Sequence, residues 1–137
     1  MLVLQIGMLS VAALVSILFG VRYFRAKEFM PYHATVAGKE WSQLGAGVQA
    51  IVLGMLKICA AGFLTYGLTI LWLLIPLYHG SEWAAWAALS ISATGLGPVL
   101  YVTVSLRRVA PAARTPIIPA TSVLVLALCG AGLSLFN

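Results

Sequence analysis

The chain of 137 residues carries eight Lys or Arg against three Asp or Glu, a net charge of +5, with 62% of residues hydrophobic and 8% charged. Ordinary soluble domains hold roughly 45–50% apolar and about 25% charged residues, so this composition, with a mean hydropathy of +1.04, excludes a water-soluble domain and calls for a bilayer. The positive balance needs no nucleic acid as partner: seven of the eight basic residues lie between apolar runs, where anionic lipid headgroups are the expected counter-ions.

A membrane crossing by a helix takes about 20 mostly apolar residues. The first such run covers residues 2–20. It has no basic segment ahead of it, is followed by Arg22 and Arg25, and shows no small-residue cleavage motif, so it reads as an uncleaved span. A link from 22 to 44 follows, rich in aromatic and basic residues and turned at Pro31. The second run, 46–77, is too long for a perpendicular crossing and must tilt, or extend beyond the membrane as a lead-in. Runs at 83–106 and 117–136 complete the set, joined by a link in which Pro111 and Pro116 stop one helix and start the next. Barrel strands would alternate apolar and polar residues, whereas these runs are continuously apolar. The expected fold is all-α: one integral membrane domain over residues 1–137, an antiparallel four-helix transmembrane bundle with short links.

Arg22, Arg25, Lys27 and Lys39 precede the second run, and Arg107, Arg108 and Arg114 precede the fourth, whereas the link near Gly80 holds neither Lys nor Arg. The positive-inside rule puts both basic links in the cytoplasm and both termini outside. A multi-pass protein of a bacterial inner membrane is the expectation. Trp72, Tyr78, Trp83 and Trp86 mark the outer boundary, and Tyr23, Phe24, Phe29, Tyr32 and Trp41 the inner one.

Lys57 is the one charged residue inside an apolar run. An ammonium at membrane depth costs a few kcal/mol by insertion scales, so it is a candidate functional residue with a partner to be found. At heptad spacing Gly47, Ala50, Gly54 and Ala61 share its stripe, and small residues at such spacing let helix backbones approach. The stripe is therefore expected to face protein, with Gly54→Leu costing more than Leu56→Ala. On the third run, Pro98 cannot donate to the Thr94 carbonyl, and the Gly97-Pro98 step is expected to kink the helix. Lys57 is expected to meet that carbonyl or an anionic headgroup, or else to bend its stem to the interface. Gln49, Thr94 and Tyr101 complete the candidate binding set.

The remaining polar residues carry less. His33, His79 and Glu82 read as solvated link residues, and the hydroxyls of Ser10, Ser16 and Ser90 as backbone-bonded. Cys59 and Cys129 sit in apolar runs and read as small hydrophobes. With no Cys/His cluster, nucleotide fingerprint or nucleophile–base pair inside a run, no catalytic residue, metal or cofactor is assigned.

The stretch from Gly62 to Leu89, a Gly-punctuated run leaving through a short polar turn into Gly80-Ser81-Glu82-Trp83-Ala84-Ala85-Trp86-Ala87-Ala88-Leu89, resembles the corresponding part of small bacterial four-helix membrane proteins called DoxX-like. Most of these have no assigned activity and a few are membrane subunits of quinone-linked oxidoreductases, so the resemblance implies a fold and no site residue. The function expected is that of a non-catalytic accessory or oligomerising membrane subunit, partnered by lipids and by a second copy or another membrane protein. A small transporter or a lipid- or anion-binding protein using Lys57 is the first alternative, and a membrane enzyme the second.

Overall fold

The computed structural model describes residues 1–136; Asn137, whose side of the membrane the charge pattern assigns, lies outside the described residues. The fold is helical, with no strand among the described residues. Helix α1 spans Leu2–Phe24, α2 Pro31–Ala37, α3 Ala46–Tyr78, α4 Glu82–Val109 and α5 Ile117–Leu133, with 3₁₀ turns at Trp41–Gln43 and Ser134–Phe136. Of these, α1, α3 and α4 are long and apolar enough to cross a membrane, and α5 is apolar but shorter. Its 17 residues reach about 26 Å at the helical rise.

The helix ends follow from local chemistry. Tyr78 is the last residue of α3, and Gly80 beyond it adopts a left-handed φ of 74°. The Gly80 N–H then donates to the Leu77 carbonyl and the Ser81 N–H to the Pro76 carbonyl, both at 3.0 Å. This Schellman arrangement satisfies two orphan carbonyls and turns the chain straight into α4. Pro31 opens α2 at its first turn, where a missing N–H costs nothing. Pro31 therefore starts a helix instead of making the expected turn. Gly38, at φ 63°, closes α2 with an N–H bond to the Ala34 carbonyl.

Helix α1 packs against α3 and α5, and α4 against α5 and, less extensively, α3. Close approaches fix the directions. A Cβ on Gly20 would lie 2.8 Å from Leu64 Cγ, and one on Gly67 2.6 Å from Ile17 Cγ1 and 2.8 Å from the Ala13 carbonyl. Positions in α3 thus fall as those in α1 rise, and the two helices are antiparallel. A Cβ on Gly130 would lie 2.9 Å from Leu9 Cγ, while Pro116 and Val123 line one cavity with Ser16 and Tyr23, so α5 also runs against α1. The core follows a ladder of small residues: Ala12, Ser16 and Gly20 on α1, Ala84, Ala88 and Ser92 on α4, Ala127 and Ala131 on α5, all buried. In lipid, where apolar burial alone gives helices little reason to associate, such residues bring backbones into van der Waals contact.

The stripe expected to face protein does not do so within this chain. Gly47, Ala50, Gly54 and Ala61 are exposed, and a Cβ on Gly47 or Gly54 would meet nothing within 4 Å. The buried face of α3 carries Leu56, Ala60, Gly67 and Ile70 instead. Those positions are the expected stripe displaced by one residue, a rotation of about 100°.

Candidate functional site at the basic end of the bundle

Lys57 does not meet Thr94. Its ammonium donates to the main-chain carbonyls of Phe24 and, at 3.1 Å, Ala26, and lies 5.1 Å from the centroid of the Phe24 ring. Phe24 ends α1, and the last carbonyls of a helix have no intrahelical partner and carry partial negative charge. The lysine of one helix therefore caps the C-terminus of another, with a cation–π contact added. The correction comes from register. Tyr66 bonds Ser92 at 3.2 Å and faces Gly95, which sets Lys57 level with the neighbourhood of Tyr101 and leaves Thr94 about 10 Å further along α4.

The same register explains the length of α3. Its first eleven residues, 46–56, run about 16 Å past the end of α1, while the part from Ile58 to Tyr78 covers about 30 Å. One hydrocarbon thickness is about 30 Å. The extra length is thus an arm beyond α1, bearing exposed Val48, Ile51 and Met55 beside Gly47 and Gly54.

Gln49 lies on that arm and donates its Nε2 to the Trp41 carbonyl at 2.9 Å, tying the arm to the link. Thr94 donates its hydroxyl to the Ser90 carbonyl at 2.7 Å, and Tyr101 is 73% exposed. Gly97 and Pro98 lie within an unbroken α4, with Pro98 exposed. The four candidate binding residues are therefore not gathered into one site. Lys57 and Gln49 each hold main chain, Thr94 satisfies itself, and Tyr101 faces outward.

What the structure does gather is an aromatic cluster in the 25–45 link. Phe29 is buried and stands edge-on to Trp41 at 5.1 Å and to His33 at 6.2 Å. The Tyr23 and Tyr32 hydroxyls are 2.7 Å apart, joining α1 to α2. Burial, with the Tyr23 bond added, pushes the Tyr32 hydroxyl far above its ordinary range. His33 accepts the Met30 N–H on Nδ1 at 3.3 Å, and burial holds its pKa below the usual 6.5. Glu28, Lys39 and Glu40 rim an open cleft beside Trp41.

Beside Tyr23 of this cluster, α1, α3, α4 and α5 leave a cavity of ≈ 50 Å³ between Ser16, Phe19 and Tyr23 of α1, Phe63 of α3, Thr103 of α4 and Val123 of α5. The wall is apolar. Its two aliphatic hydroxyls are already used, Ser16 on the Ala12 carbonyl at 2.8 Å and Thr103 on the Val99 carbonyl at 2.6 Å. Sequence reading missed both the cavity and the Tyr23–Tyr32 pair. The buried small-residue ladder of α1 was legible in the four-residue spacing of Ala12, Ser16 and Gly20, but a cavity is a property of helices that are remote in sequence.

Cys59 and Cys129 are free and exposed, and no group of three potential metal ligands occurs among the described residues. No protein-family model, curated protein or solved structure matches the chain.

Proposed function

We propose that this chain is a small inner-membrane protein of four spans, α5 with its following 3₁₀ turn completing the fourth, that acts as a non-catalytic accessory or oligomerising subunit. Both basic links face the cytoplasm in this reading. The observation that carries it is the α3 arm. Residues 46–55 are helical and free of charge, and most of them are exposed. A face of Gly47, Ala50 and Gly54 flanked by Val48, Ile51 and Met55 suits close contact with another helix. The alternative, an anion site or transporter centred on Lys57, loses support because two main-chain carbonyls already occupy the ammonium. The DoxX-like resemblance contributes only a common plan of short-linked helices.

Native mass spectrometry after mild detergent extraction tests the reading. Wild-type protein is expected as an oligomer or with a second membrane protein retained, and Gly54→Leu, which meets open space within the chain, is expected to release that partner while the single chain still folds. A wild-type monomer under all mild conditions, or a Gly54→Leu protein that keeps its partner, would overturn it.

A further inference from the structure

We infer that the interior cavity at the basic end holds a segment of one hydrocarbon chain from an anionic lipid, whose headgroup rests on Arg22, Arg107 and Arg114. The cavity wall selects for hydrocarbon. Apart from the Tyr23 ring, it is built of Val, Leu, Phe, Pro and Ala side chains and two hydroxyls that already bond their own helices. A water in such a space would lack the two to four polar partners it needs. Left dry, the wall forfeits dispersion contacts. A few methylene groups restore them, and ≈ 50 Å³ suits part of one chain, not a whole lipid.

Charge selects the headgroup. Arg22 directly precedes Tyr23, which lines the cavity, and its charge is felt by the Tyr32 hydroxyl. Arg107 follows Thr103 by four residues and so shares its helical face one turn nearer the end. Arg114 lies two residues before Pro116, another lining residue. All three arginines are exposed. That end of the molecule carries seven basic side chains against Glu28 and Glu40. Arginine is suited to bidentate contact with a phosphate. The inference requires only that the bundle sits in lipid, and it stands whether or not the chain oligomerises.

The test is native mass spectrometry of protein released from nanodiscs of equal parts phosphatidylglycerol and phosphatidylcholine. Wild type is expected to retain one phosphatidylglycerol per chain, several-fold over phosphatidylcholine. Val123→Phe, which fills the cavity, should lose lipid of both kinds several-fold. The combined Arg22→Gln, Arg107→Gln and Arg114→Gln variant should keep a lipid but lose the headgroup preference. Ala120→Leu, a filling change at a half-buried position in the same wall, serves if Val123→Phe does not fold. Equal retention of the two lipids by wild type, or undiminished retention by a folded cavity-filled variant, would overturn the inference.

Discussion

Two carbonyls at the end of α1 decide what Lys57 does. The ammonium would be costly in hydrocarbon, yet at this level it answers groups that α1 itself leaves unpaired. A cation at a helix C-terminus contributes about 0.3–1 kcal/mol, and up to about 2 in partly buried geometry. Lys57→Met keeps the stem and removes the cap, so its unfolding free energy in detergent should fall by an amount in that range and its melting temperature should drop with it, with Lys57→Arg recovering part of the loss. An unchanged melt in Lys57→Met would mean that the cap contributes nothing. His33 gives a pH-dependent counterpart. Its folded pKa lies below 6.5 because burial disfavours the imidazolium, so the unfolded chain binds the proton first and stability is present above pH 6.5 and lost as pH falls. Protonation also removes the Nδ1 acceptor used by the Met30 N–H. Protection from hydrogen exchange in the 25–45 link, taken relative to the intrinsic rate at each pH, should therefore decline as the pH is lowered through 6.5, and His33→Gln should flatten that dependence; a pH-independent protection in wild type would refute it.

Among elements, α3 separates what composition could reveal from what only packing could. Its existence, its approximate bounds and its excess length were legible, because apolar runs and charges report membrane crossing directly. Its buried face was not. Almost every side chain on α3 is apolar or small, so the helical periodicity that distinguishes inside from outside in a soluble helix is muted when lipid is the outer solvent. Within one chain the buried face of α3 consequently lies one residue from the stripe drawn through Lys57, and there the expected ranking of Gly54 and Leu56 inverts. Leu56, 5% exposed, should lose about 2–5 kcal/mol on change to Ala. Gly54→Leu should cost little within one chain. Gly67→Leu, by contrast, drives new atoms into the Ala13 carbonyl and Ile17, and overpacking costs about 1–3 kcal/mol or more against backbone. Detergent melts that ranked Gly54→Leu beside Gly67→Leu would show that the α1–α3 seam is not where the glycine contacts put it.

For the whole molecule, the charges and the helix ends form one pattern. The antiparallel register places the C-termini of α1 and α4 at the same end, and a helix C-terminus favours nearby cations. Arg22 lies in the last turn of α1, and Arg107 and Arg108 in the last turn of α4. The cations that the positive-inside rule counts thus also complement two helix dipoles. At the opposite end, the turn at Gly80 exposes Tyr78, Trp83 and Trp86, with no Lys or Arg to draw it inward. The topology follows as a prediction: Ala34 and Ala112 on the cytoplasmic side, Ser81 outside. Ala34→Cys, Ser81→Cys and Ala112→Cys, each made singly with Cys59 and Cys129 replaced, report it through an impermeant thiol reagent on intact cells. Ser81→Cys should label at once, whereas Ala34→Cys and Ala112→Cys should label only after the membrane is opened. Reversal of all three would invert the orientation and leave the bundle intact. Protection of Ala34→Cys with immediate labelling of Ala112→Cys would be more damaging, because an odd number of crossings would then separate the two basic links and the four-span arrangement would fall.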